Sequence, residues 1–482
     1  MKAKRQKYTS SFASILLAIG CVFSLLIIFL FRSAEKLLPG RESYFLLRIA
    51  ENPAFIDALS FGGRFTAYPL GLPYLLNLLP WALAIAMPFV FGILSIILFF
   101  LLLRDFNVKP RKTALAILLL SPSFIYLFNT LNTASAALFL ALLGFWLFAR
   151  KGGIRVLSPL VIALIPLFDL TIALLSMLLL LFYVFFKDKE SKKLYFAALA
   201  LFLASAGIYY SYIIKNAGFS WPMFNLWETG FNGALRSLLS DLGAPYGIGL
   251  FSLILAVFGI IAVWDAKYEN KFAFFSIAAL LVTSMFFPKA LFMLSLFVAV
   301  FAAIGFMDIL NSRWENRLFQ RFVLLIMVCG IIFSALSFAQ VFVNSEPDEG
   351  IVKGIGALSE LPNGVVFSEY TRGHWISFAG KPNVMDENAY LAPDVNERFE
   401  DSQMLFKTRD IEEAGKIIKK YNIKYIWIDA GMKRRLWKED EDGLLFLLKY
   451  NPDLKNKVYD VDGVEIWEIS EGAYAGSGYE IR

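Results

Sequence analysis

The sequence predicts a polytopic α-helical membrane protein of about eleven transmembrane helices, followed by a C-terminal soluble α/β domain. Three observations predict it. Hydrophobic residues make up 58% of the 482 positions, with 48 Phe, while charged residues make up 18%, against about 25% in an average soluble domain. Apolar runs long enough to span a bilayer recur up to Val343. Beyond it none remains, and short strand-like segments alternate with helix-like ones.

The first run, from Phe12 to Phe31, is longer than the apolar core of a cleaved signal peptide. Further spans are expected at 80–103, 113–128, 133–149, 156–168, 171–186, 195–214, 247–264, 272–287, 290–307 and 322–343. Basic residues mark every second loop. Lys2, Lys4, Arg5 and Lys7 precede the first span, Arg104, Lys109, Arg111 and Lys112 follow the second, and Arg150, Lys151 and Arg155 follow the fourth. The pattern continues with Lys187 to Lys193, with Lys267 and Lys271, and with Arg313, Arg317 and Arg321. The positive-inside tendency then predicts a multi-pass protein of the cell membrane with a cytoplasmic N-terminus. The loops 32–79 and 215–246 and everything after Val343 share the external side.

The net charge of +6 (46 Lys+Arg against 40 Asp+Glu) is largely accounted for by these loop cations. Nucleic acid is therefore excluded as a partner, and membrane lipids are the expected surroundings. Cys21 and Cys329 both lie inside apolar runs, which implies neither a disulfide framework nor a thiolate metal site.

Two domains follow, 1–343 in the membrane and 344–482 outside it. In the second, Val365–Phe367 and Ile423–Ile428 read as strands, and Ile411, Ala414, Ile417 and Ile418 recur at helical spacing after the cap residue Asp410. The segment VYDVDGVEIWEI reads as a hairpin about Asp462-Gly463. In the 215–246 loop, Trp221, Phe224, Trp227, Phe231, Leu235, Leu238 and Leu239 read as an amphipathic interfacial helix or as a plain aromatic belt.

The 32–79 loop is unlike a simple connector. It holds Arg41, Glu42, Arg48, Glu51, Asp57 and Arg64 among Tyr44, Phe45, Phe55, Phe61, Phe65 and Tyr68. A membrane enzyme with a lipid-linked donor needs a carboxylate at the interface, to bind a metal or deprotonate an acceptor, and cations to hold the donor's phosphate. Glu42 and Arg48 supply one of each. The plain alternative is a solvated Glu42 with Arg48 paired to Glu51 on the same helix.

The segment Glu42-Ser43-Tyr44-Phe45-Leu46-Leu47-Arg48 resembles the Asp-x-Tyr-x-x-x-Arg signature of oligosaccharyltransferase catalytic subunits, members of the GT-C glycosyltransferase superfamily. Glu42 falls where their catalytic, metal-binding aspartate stands. Gly62-Gly63-Arg64 before Tyr68-Pro69, the short cytoplasmic loops, a long loop before Tyr246-Gly247 and the C-terminal domain extend the resemblance over nearly the whole chain. It implies Glu42 as the catalytic residue, with Arg48, Arg64 and Lys289 holding donor phosphate. Asp241, closing Ser237-Leu238-Leu239-Ser240-Asp241, would join Glu42 at a metal and position the acceptor. Glu369, His374 and Trp375, in the place of the Trp-Trp-Asp-x-Gly segment, would contact the acceptor, and Ala379-Gly380-Lys381-Pro382 and Asp386 continue that match. Asp169, at an external end, would face the same cavity.

The sequence departs from the family at two places. Asn129-Thr130-Leu131-Asn132-Thr133 stands where an acidic pair is usual, and Phe367-Ser368-Glu369 replaces Trp-Trp-Asp. The expected function is transfer of a sugar or oligosaccharide from a polyprenyl phosphate or pyrophosphate to a protein or lipid acceptor on the external face. A divalent ion, Mg2+ or Mn2+, is one option for this chemistry. With one clear acid instead of three, a metal-free base mechanism stays open, as in a protein O-mannosyltransferase-like or lipid-modifying relative. A catalytically inactive GT-C scaffold is a further alternative. A transporter is disfavoured, because the notable polar residues cluster at helix ends rather than at mid-membrane.

Overall fold

The computed structural model describes residues 38–218, 233 and 236–469, except 245, 390–391, 440, 452–453 and 455. The expected first span and most of the expected 215–246 helix lie outside the described residues.

The chain opens with α1 (Arg41–Glu51), a hairpin of β1 (Ile56–Asp57) and β2 (Arg64–Phe65), and α2 (Gly71–Asn77). Helices then follow in succession: α3 (Trp81–Asp105), α4 (Arg111–Leu119), α5 (Pro122–Asn129), α6 (Thr133–Ala149), α7 (Ser158–Leu164), α8 (Leu170–Phe186) and α9 (Lys192–Ala217). After the undescribed stretch come α10 (Leu250–Ala262), α11 (Lys271–Phe286), α12 (Ala290–Asn311) and α13 (Arg317–Val343). Each expected span from 80 to 343 is thus matched by helix, but with a difference in kind. Among the described residues four helices are long and apolar enough to cross a membrane, or five if α4 and α5, bent by 64°, count as one. The bend falls at Ser121-Pro122, where proline opens a new helix instead of continuing the old one.

α12 is the centre of this bundle, its residues buried along most of its length. It crosses α10 so closely that a Cβ added at Gly259 would overlap the Phe301 carbonyl, and one at Gly305 would overlap the Leu255 carbonyl. Small residues at such crossings let backbones meet where lipid supplies no hydrophobic drive. The outer faces stay apolar: Phe185, Ile208, Phe333 and Val341 are all exposed, as suits helices solvated by lipid.

Residues 349–469 build a separate core around a four-stranded sheet in the order β3-β4-β6-β5. Its strands are β3 (Val365–Phe367), β4 (Ile423–Asp429), β5 (Asn456–Val461) and β6 (Val464–Glu468). β3 and β4 run parallel and the other neighbours antiparallel. Asp462 and Gly463 take positive φ at the β5–β6 turn, the conformation a tight two-residue hairpin requires. The helices are α14 (Glu349–Glu360), α15 (Gly373–Phe378), α16 (Val395–Lys407), α17 (Ile411–Lys420), α18 (Ala430–Leu436) and α19 (Leu444–Tyr450). Asp410 caps α17 by accepting from the Glu412 N–H at 2.8 Å.

α1 joins the two parts. Its Phe45 and Leu47 belong to the core of the helical bundle, whereas Tyr44 belongs to the core of the sheet region and meets Phe378 edge-on at 5.0 Å. Neighbouring positions on one helix therefore face two cores. Glu42 sits one turn from that junction.

Candidate active site

Glu42 lies in the first turn of α1, where a carboxylate is favoured by the helix dipole. The Tyr68 hydroxyl donates a hydrogen bond to it. Burial, followed by the charge and hydrogen bond of Glu42, pushes the Tyr68 phenol well up. It consequently remains a donor at any ordinary pH. The 129–133 turn is held against α1 by Ser43, whose hydroxyl accepts from the Leu131 N–H at 3.1 Å and donates to Pro39 at 2.8 Å. Within that turn, Asn132 caps α6 through the Ser135 N–H at 2.8 Å. The residues in place of the usual acidic pair therefore shape the turn and offer no charge.

Lys289 stands directly before α12, and its Nζ lies 2.7 Å from Asp169 Oδ2. Asp169 is buried, and its other oxygen accepts from the Ile172 N–H to cap α8 at 3.0 Å. The Lys289 side chain keeps 42% of its surface accessible, so it is open to a ligand on one side. Burial acts to lower its pKa, but Asp169 and then Glu42 outweigh it and hold the ammonium above its ordinary value. Glu42 and Lys289 thus share one electrostatic environment. Tyr246, whose phenol burial and Glu42 push up, completes it. Its ring lies 4.9 Å from Tyr126 and 5.7 Å from Phe292, one turn beyond Lys289.

The other two expected phosphate-binding cations are occupied. Arg48 forms a two-pronged pair with Asp57 at 2.7 and 2.6 Å rather than pairing with Glu51. Asp57 sits across the hairpin from Arg64, and Arg64 pairs with Asp386 at 3.3 Å and donates to the Asn388 carbonyl. Gly62 and Gly63, both at positive φ, make the turn that brings these residues into register. Of the three cations, Lys289 is the one with open surface.

The expected acceptor residues divide. His374 packs its ring 4.9 Å from Phe45 of α1, with Nδ1 3.7 Å from Asp386 Oδ2. Burial drops its pKa to about 4, so it is neutral at pH 7. Trp375 is buried beneath two guanidiniums, Arg372 at 5.1 Å and Arg41 at 5.8 Å from its ring. Glu369 is paired with Arg435 and accepts from Thr371 at 2.9 Å. Asp241 is exposed and accepts from the Leu250 N–H at 2.7 Å, at the start of α10.

One acid escaped the sequence reading. Glu387 is paired with Arg41, the neighbour of Glu42, and its charge acts on Tyr246 as that of Glu42 does. Burial raises its own pKa. Its position directly after the singled-out Asp386 was the available signal. Tyr126, inside an apolar run, offered none. An apolar cavity of about 230 Å³ lined by Phe106, Phe145, Leu180, Phe272 and Phe301 has none of these site residues in its walls.

The sequence matches no protein-family model and no curated protein. Among solved structures it is similar to the archaeal oligosaccharyltransferase AglB from Archaeoglobus fulgidus, in complex with an inhibitory peptide and a dolichol-phosphate. That match has TM-score 0.61 and 13% identity over 96% of this chain and 75% of that one. ArnT from Cupriavidus metallidurans bound to undecaprenyl phosphate matches with TM-score 0.58 and 11% identity, over 96% of this chain and 99% of that one. The Archaeoglobus fulgidus oligosaccharyltransferase in complex with Zn and sulfate matches with TM-score 0.59 and 16% identity, over 94% and 73%. At these identities the likeness is one of fold. The resemblance to GT-C glycosyltransferases holds across most of the chain.

The zinc in that structure raises the question of whether the residues here suit a divalent ion. Among the described residues no three of His, Cys, Asp and Glu gather as a metal site. The groups near Glu42 point the same way: it accepts from a phenol, and the Lys289 ammonium at this end of the bundle is already joined to Asp169. A hard cation requires several oxygen ligands with no competing positive charge. These residues do not fit one.

Proposed function

We propose that this protein transfers a sugar or oligosaccharide from a polyprenyl phosphate or pyrophosphate to an acceptor at the external membrane face, with Glu42 as general base. The observation that carries this reading is the Glu42 carboxylate, bonded by Tyr68 in the first turn of α1, at the end of the bundle where Asp169 anchors the half-exposed ammonium of Lys289. The relatives captured with dolichol-phosphate and with undecaprenyl phosphate support the donor class.

The acceptor's hydroxyl or amide N–H attacks the anomeric carbon while Glu42 takes its proton. The bond from that carbon to the phosphate oxygen breaks, and its electron pair leaves with the phosphate. Lys289 compensates the charge that develops there. Tyr68 orients the Glu42 carboxylate, and Asp169 orients Lys289. Arg48 and Arg64 contribute to donor binding by fixing the 48–64 hairpin through Asp57 and Asp386, and His374 and Trp375 brace α1 on the side where an acceptor enters. Glu387, paired with Arg41 beside Glu42, contacts that acceptor in this reading.

The donor set around Glu42 favours the metal-free form of the chemistry over a metal-assisted one. A catalytically inactive scaffold is separated from an enzyme by a reaction that needs no known acceptor. Purified protein in lipid nanodiscs, given a panel of polyprenyl-phosphate sugars, is expected to release free polyprenyl phosphate by transfer to water. If no donor yields release that depends on Glu42, the transferase reading fails.

A further inference from the structure

We propose that Lys289 stands in the place of a divalent ion: its ammonium, anchored by Asp169 at the end of the bundle that carries Glu42, is the built-in cation of this site. The inference rests on the reading of Glu42 as the reacting carboxylate, but its test does not need transfer to be observed.

The argument starts from what a divalent ion does at such a site. It neutralises neighbouring carboxylates, offers a positive face to phosphate and stays in place through the reaction. An ammonium with three donors can do each of these if it is anchored. Asp169 is the anchor. It is buried, fixed by capping α8 through Ile172, and 2.7 Å from Lys289 Nζ. Lys289 is itself fixed at the N-terminal end of α12, a helix buried along most of its length. One donor is used by Asp169, which leaves two for a phosphate oxygen and for Glu42.

The side chains around this cation are those expected if no metal competes with it. The 129–133 turn, held to α1 by Ser43, presents amide and hydroxyl groups, which carry no charge. Tyr68 donates to one oxygen of Glu42 and so holds the carboxylate in place without adding charge. When Glu42 takes the acceptor's proton its charge disappears, and the ammonium is left facing the departing phosphate.

This makes a prediction opposite in sign to the usual loss of function. Removing the Lys289 ammonium leaves Glu42 and Asp169 as uncompensated carboxylates, so Lys289→Ala is expected to gain a divalent-ion site. The experiment is Mn2+ titration of the full-length protein in detergent, read by electron paramagnetic resonance. Wild type is expected to bind no Mn2+ at this site. Lys289→Ala is expected to bind one ion per chain and to lose it when Glu42→Gln or Asp169→Asn is added. Binding by wild type that disappears in Glu42→Gln overturns the proposal, and so does a Lys289→Ala protein that folds but binds nothing. Lys289→Met, closer in volume, serves if the alanine variant does not fold. Should that also fail, millimolar Mn2+ decides on wild type alone: an unchanged melting temperature supports the proposal, and a Glu42-dependent rise overturns it. A transferase that fails this test keeps its assignment, and a protein that passes it without any transfer loses only the reaction.

Discussion

Lys289 Nζ and Asp169 Oδ2 lie 2.7 Å apart, tying the first residue before α12 to the N-cap of α8 at the end of the bundle that carries Glu42. The two partners are unequal, with side chains 42% and 4% exposed. Removing Lys289 therefore strands a buried carboxylate, whereas removing the charge of Asp169 strands an ammonium that reaches solvent. Lys289→Met is expected to destabilise by roughly 3 kcal/mol, near the low end for breaking a buried pair. Asp169→Asn, which keeps a capping side chain, is expected to cost on the order of 1 kcal/mol. Thermal unfolding in detergent measures both, and equal losses would contradict the asymmetry.

Tyr68 is a positioning residue in this account. Tyr68→Phe keeps the ring, which packs edge-on against Phe45 at 5.1 Å, and removes only the hydrogen bond to Glu42. A hydrogen bond to a charged group contributes about 1.5–3 kcal/mol. Transfer should accordingly fall roughly 10-fold or more in kcat with KM for the donor little changed. A rise in KM at constant kcat would place Tyr68 at the donor instead.

His374 makes stability depend on acid. Its pKa falls from 6.5 in the unfolded chain to about 4 in the folded one, chiefly through burial. The unfolded state then binds more protons between these values. The stabilisation is present above pH 6.5 and is lost as pH falls toward 4. Its full size is on the order of 3 kcal/mol. His374→Gln should flatten the decline in melting temperature between pH 7 and pH 5, and an unchanged slope would show that other groups cause it.

Arg372 holds the junction between the two parts. Its guanidinium is fully buried and bonds Asp429 at 2.6 and 3.0 Å and Glu346 at 2.6 and 2.8 Å, while Arg41 bonds Glu346 at 2.9 Å. Arg372→Met strands Asp429 and is expected to cost about 3–5 kcal/mol. Limited proteolysis should then cut residues 349–469 at a lower temperature while the bundle stays intact. Simultaneous loss of both parts would mean that they unfold as one unit.

Helix positions were legible because lipid leaves one requirement, a continuous apolar run, and the sequence states it directly. The Asp462-Gly463 hairpin and the Asp410 cap were legible because each rests on one residue's local chemistry. Charge partners were not. Arg48 pairs with Asp57, nine positions away, because the chain leaves α1 after Glu51 and turns into β1, a geometry that helical spacing does not encode. Glu387 and Tyr126 reach the site through tertiary contacts alone. The break between α4 and α5 was written in Ser121-Pro122, yet the run around it was apolar enough to read as a single span.

The most direct test of the account is sugar transfer by Glu42→Gln, which keeps the side chain's shape and removes its charge. Release of polyprenyl phosphate from its sugar donor, followed at saturating donor, is the quantity to measure. Loss of a general base is worth about 10²–10⁴ in rate, and a fall on the order of 100-fold or more, with EDTA without effect on wild type, is the expected result. A Glu42→Gln protein that transfers sugar at the wild-type rate would make α1 a structural element and contradict the assignment.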